Sequence, residues 1–178
     1  MLNYSCAIVR EITDFLTWQH IPYNLHLPEG MITFSASTTN NEALYEYRLN
    51  ISDKEILVEA TSPLKVPLSE KIQIRLLKFF NDINRKERSG GYFVLNRDTG
   101  ALLCQMTIPF SYDRCGRMDD LLPIPANTLN RYWDAIQKLI QGKTSVETEV
   151  KSWKNAYQYR DISPLVSCSS DQPNKRWR

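Results

Sequence analysis

Apolar and polar positions alternate with two different periods along this chain, and the order in which the periods change predicts its architecture. Ala7, Ile8, Ile12, Phe15 and Leu16 fall on one side of a helix over about residues 4–19, while Arg10, Glu11 and Asp14 lie mostly elsewhere. Pro22 ends that helix. Glu29-Gly30 then turns the chain into Met31-Ile32-Thr33-Phe34-Ser35, a short strand. After the polar stretch 37–41 the period is strictly two: Tyr45, Tyr47, Leu49 and Ile51 share one face, and Glu46, Arg48 and Asn50 the other. One-sided alternation of this kind describes an antiparallel strand with one face packed and one wet. Ser52-Asp53-Lys54 makes a turn, and Ile56 to Ala60 returns as a third strand.

Pro63 and Pro67 bracket a crossover into a helix over about residues 68–87, where Ile72, Leu76, Phe79, Phe80 and Ile83 form a wide apolar stripe. Gly90-Gly91 leads into Tyr92-Phe93-Val94-Leu95, and Asp98-Thr99-Gly100 turns that strand back through Ala101 to Ile108. Leu102, Cys104, Met106 and Ile108 are the core face of the return strand. Residues 109–127, with three prolines, read as an ordered loop. Asn127 or Thr128 is placed to cap a third helix with the stripe Leu129, Tyr132, Trp133, Ile136, Leu139 and Ile140, and Gly142 to stop it. The pattern predicts an α+β fold in the order α-β-β-β-α-β-β-α. Its single antiparallel sheet has about five strands, with helices mainly on one face. Residues 1–143 form this domain, 144–162 an appended helix in which Val146, Val150, Trp153 and Tyr157 keep helical spacing, and 163–178 a mobile tail.

Composition narrows the function classes. At 178 residues, 42% apolar and 24% charged, the chain suits one soluble domain with a genuine core. A net charge of +2 lacks the basic excess of a dedicated nucleic-acid binder. No apolar run is long enough to span a membrane, and Arg10, Glu11 and Asp14 interrupt any signal-peptide pattern, so a cytoplasmic location is expected. Cys6, Cys104, Cys115 and Cys168 are scattered without a CxxC, and His20 and His26 lack zinc-ligand spacing, so reduced thiols and no metal or cofactor are expected.

The helix ending Phe79-Phe80-Asn81-Asp82-Ile83-Asn84, the entry Gly90-Gly91-Tyr92-Phe93-Val94-Leu95, the Asp98-Thr99-Gly100 turn into Leu102–Ile108, and a third helix some twenty residues later resemble the YbjN family. The resemblance covers roughly residues 4–142. It implies a fold like that of type III secretion chaperones, often dimeric, that binds protein segments or modulates partners. The net positive charge and the aromatic extension after Gly142 depart from the acidic character of those chaperones, which favours a broader adapter role.

No catalytic template finds its residues. GxGxxG, GxxxxGK[ST], GxSxG and HExxH are all missing. Asp113, Asp119 and Asp120 lack the alternating ligands and central glycine of a calcium loop. Cys115, beside Arg114 and Arg117, has only His20 or His26 as a base and reads as a surface thiol. The expectation is therefore a non-enzymatic, chaperone-like adapter or regulator. It docks an extended or helical partner segment on the free sheet face or on the extension. Candidate contacts are Tyr92, Val94 and Leu103 on the sheet, and Trp153 and Tyr157 on the appended helix. The alternative is a nucleic-acid-associated regulator using the cations of the second helix, Lys71, Arg75, Lys78, Arg85, Lys86 and Arg88.

Overall fold

The computed structural model describes residues 4–38, 41–85, 91–110 and 122–158, without the side chains of residue 38, residues 41–43 and residues 153–158. Helix α1 runs Cys6–Trp18, and its N-cap Ser5 accepts a hydrogen bond from the Ile8 N–H at 3.4 Å. It ends before Pro22 acts. Ile21 N–H reaches back to the Leu16 carbonyl and His20 N–H to that of Thr17, with His20 in the left-handed region at φ 58. That is a Schellman motif built on histidine instead of glycine.

Four strands follow in sequence: β1 (Tyr23–His26), β2 (Met31–Thr38), β3 (Asn41–Ile51) and β4 (Glu55–Lys65). Helix α2 (Glu70–Asn84) crosses to the hairpin β5 (Tyr92–Leu95) and β6 (Ala101–Pro109). Helices α3 (Ile124–Ile140) and α4 (Val146–Gln158) complete the order. The sheet has six antiparallel strands in the order β1-β2-β3-β4-β6-β5, against the five expected. The additional strand is β1. Its four residues lie between Pro22 and a single turn of 3₁₀ helix at Leu27–Glu29, too short for a period of two to stand out. The third helix also begins earlier than expected, at Ile124 with Pro125 in its first turn, so Asn127 and Thr128 are helix-interior residues. Proline serves that position because its missing N–H would have no helical partner there.

Strand register sorts the side chains cleanly. Ile32, Leu49, Val58 and Met106 are paired in turn across β2, β3, β4 and β6 and face the core, as do Phe93 and Cys104. Ile8, Ile12 and Leu16 of α1, Leu76 and Phe80 of α2, and Leu129 and Ile136 of α3 pack into the same cluster. Phe93 stacks on Phe80 at 5.0 Å and meets the edge of Tyr132 at 5.3 Å, tying β5 to α2 and α3. The packed helices thus lie on one face of the sheet. Helix α4 packs along α2, with Val146 and Val150 against the core.

Candidate functional site

Among the described residues the other face of the sheet carries no helix, and its side chains run in rows fixed by the register. One row is Asn24, Thr33, Arg48, Glu59, Gln105 and Tyr92; the next is Ser35, Glu46, Thr61, Leu103 and Val94. All of these residues except Gln105, Tyr92 and Val94 line an open groove of about 470 Å³, reaching from Asn24 on the edge strand to Leu103 on β6.

Chemically the floor is polar in the middle and apolar at one end. Glu46, Arg48 and Glu59 are its charged groups, and hydroxyls of Thr33, Ser35 and Thr61 surround them. Gln105 Nε2 donates to the Glu59 carboxylate, holding it in place. Leu103 lines the groove, and Val94, its register partner, carries the face onto β5 beside the half-exposed Tyr92. The register resolves which neighbour points outward: Tyr92 faces solvent and Phe93 the core. Of the sequence candidates, Tyr92, Val94 and Leu103 therefore share one surface. Sequence reading missed Asn24, because β1 was not expected. It treated Glu46 and Arg48 only as a wet face, since nothing local shows which strands lie beside them.

Both sheet edges are blunted against an added strand. On β5 the Asn84 side-chain amide donates to the Phe93 carbonyl at 3.1 Å, and its oxygen accepts from the Phe93 N–H at 2.8 Å. A side chain thus occupies the hydrogen-bonding position a further strand would take. On the other side β1 is four residues long, with Pro22 before it and Pro28 two residues after its end. Shortness and flanking proline are the usual ways of blunting an edge.

The cationic face of α2 is partly consumed within the fold. Arg75 Nη1 donates to the Leu139 carbonyl at 2.5 Å, capping the C-terminus of α3. The Glu147 carboxyl of α4 is held below its ordinary value chiefly by hydrogen bonds from its own backbone and from Ser145, with Lys78 of α2 and Lys151 adding to the effect. Lys86 and Arg88 lie outside the described residues, as do Cys115, Asp113, Asp119, Asp120 and the tail 163–178. Trp153 and Tyr157 stand on the backbone of α4, and their side chains lie outside the described residues. Among the described residues no three His, Cys, Asp or Glu side chains gather as metal ligands, and no helix is long and apolar enough to cross a membrane.

Beneath the groove, burial pushes the Tyr47 phenol well above its ordinary value of 10.0, with the nearby Tyr45 and Cys104 adding to the rise. The folded state therefore keeps this proton at a pH where the unfolded chain releases it. Its stabilising contribution is complete below pH 10.0 and is lost as pH rises from there toward the folded value. Above pH 10 this residue alone adds a slope of about −1.4 kcal/mol per pH unit to the unfolding free energy. Urea unfolding from pH 9 to 11.5 should show that slope reduced by this amount in Tyr47→Phe; parallel curves would count against it.

Compared with protein-family models, curated proteins and solved structures, the chain matches none.

Proposed function

We propose that the protein is a non-enzymatic, chaperone-like adapter that holds an extended segment of a partner protein across the helix-free face of its sheet. The observation that carries this reading is the combination of a 470 Å³ trough on that face with an Asn84 side chain across the β5 edge and a strand of only four residues at the other edge. A segment that cannot add to an edge is offered side-chain contacts on the face. Tyr92, Val94 and Leu103 are its apolar anchors, and the hydroxyl and charged groups of the floor orient it. The resemblance of residues 4–142 to the YbjN family supports the same reading, as does the absence of catalytic motifs from the sequence. One feature weighs against α2 as a nucleic-acid surface: Arg75 is spent on capping α3.

The test is affinity capture from nuclease-treated lysate with native protein and with the Tyr92→Ala/Leu103→Ser double substitution. Each anchor should contribute about 1–2 kcal/mol, so the substituted protein should retain less than a tenth of a specific partner. Its melting temperature, measured in parallel, should fall by no more than about 6 °C. A partner captured equally by both proteins, or released by nuclease, would refute docking on this face.

A further inference from the structure

We propose that the segment received by the open face is basic. It places a Lys or Arg side chain over Glu46 and Glu59, and an aromatic or aliphatic side chain about four residues away on Leu103, Val94 and Tyr92. This rests on the docking reading above and adds the chemistry of the occupant.

Charge is the first ground. Between the start of β4 and Thr61, the outward-facing positions of β3 and β4 carry Glu46, Glu55 and Glu59 against Arg48, in a chain whose net charge is +2. Lys65 stands beyond the register shift that follows Thr61. A locally acidic floor in a slightly basic protein runs against the overall balance and selects a cationic partner.

The second ground is how the carboxylates are presented. Arg48 and Glu59 face each other in register without an ion pair; the one found among the described residues, Arg10 with Asp14, lies on α1. Gln105 is neutral, so its hydrogen bond fixes the Glu59 carboxylate and leaves the charge in place. Glu46 pairs with Thr61 and Arg48 with Glu59, which makes Glu46 and Glu59 diagonal neighbours about 7 Å apart. A guanidinium or ammonium group seated between them meets both. Arg48 has donors only, and these suit the main-chain carbonyls of the same segment.

Spacing is the third ground. From β3 to β5 is three strand separations, about 14 Å, which an extended chain covers in about four residues, and residues four apart on an extended chain point to the same side. A segment crossing the strands thus brings a cation and an apolar residue four apart onto the two ends of the site.

The experiment is a fluorescence-anisotropy titration with a labelled nonapeptide containing two arginines and, four residues later, a tryptophan, beside a peptide with glutamates replacing the arginines. Native protein is compared with Glu46→Gln/Glu59→Gln and with Tyr92→Ala/Leu103→Ser, at low and high salt. The basic peptide should bind saturably, and the glutamine variant should weaken it roughly fivefold to tenfold, as should 0.3 M salt. Three results would overturn the inference: no saturable binding of the basic peptide, binding unaffected by the glutamines, or equal or tighter binding of the acidic peptide. In the last case, loss of acidic-peptide binding in Tyr92→Ala/Leu103→Ser would leave docking on the face standing, and only the charge assignment would fall.

Discussion

Gly100→Ala is expected to destabilise the protein by about 3 kcal/mol or more, a fall of about 6–12 °C in melting temperature for a chain of this size. Two costs combine. Gly100 closes the β5–β6 hairpin at φ 71, where an L side chain is strained by roughly 1–2 kcal/mol. A Cβ there would also lie 2.2 Å from the Val66 carbonyl oxygen. That oxygen cannot simply retreat. The Val66 N–H donates to the Gly100 carbonyl at 2.7 Å, so moving the β4 exit breaks the bond that holds it against the hairpin. Gly142→Ala separates the two costs. Its φ is 70, but the nearest atom to an added Cβ is the far end of the Arg75 side chain at 3.6 Å, so only strain applies and about 1 kcal/mol is expected. Equal losses at the two positions, measured by thermal and urea unfolding, would show that the Val66 contact carries no cost.

Asn84→Ala is expected to cost about 2–4 kcal/mol and to open the β5 edge. Truncation leaves the N–H and C=O of the buried Phe93 without partners, and each unpaired group costs about 1–3 kcal/mol. Asn84→Asp keeps an acceptor for the Phe93 N–H but sets an oxygen against the Phe93 carbonyl, so it should fall between the wild type and alanine or below both. The readout specific to an edge lock is hydrogen exchange at Phe93, accelerated beyond the global loss of stability, with new concentration-dependent association by light scattering. Faster exchange with no change in association would leave Asn84 as a structural bond only. Under the proposed docking, the same lock would leave a partner the side chains of Tyr92 and Val94 on the face and no free backbone at Phe93.

Elements long enough to repeat their period were legible in the sequence. The stripe of α2, the alternation of β3 and the core face Leu102–Cys104–Met106 each state their buried side through several turns or pleats, because burial of apolar area is what selects the element. The hairpin at Asn96–Gly100 was legible for another reason: the Asn96 side chain accepts from the Asp98 and Thr99 N–H groups, and Gly100 supplies the positive φ, both local chemistry. Strand β1 was not, because four residues between prolines carry no period, and they become a strand only because β2 offers its edge. The start of α3 was displaced for a similar reason. A helix start at Ile124 is decided by burying Pro125, Ala126 and Thr128 against the core, which overrides the capping preference of Asn127.

The candidate site divides along the same line. Sequence alone placed Leu103 out of phase with the continuous core face Leu102–Cys104–Met106, whereas the choice between Tyr92 and Phe93 as the outward residue waited on the strand register. Tertiary structure alone decided that Glu46 and Glu59 lie side by side and that Leu103 ends their trough. It also set Asn84 across the edge of β5 and Arg75 against the end of α3. Each of those relations joins residues far apart in the chain. Local preference fixes how a segment folds and which side it buries, but only the pairing of strands and the packing of helices fixes what lies next to what.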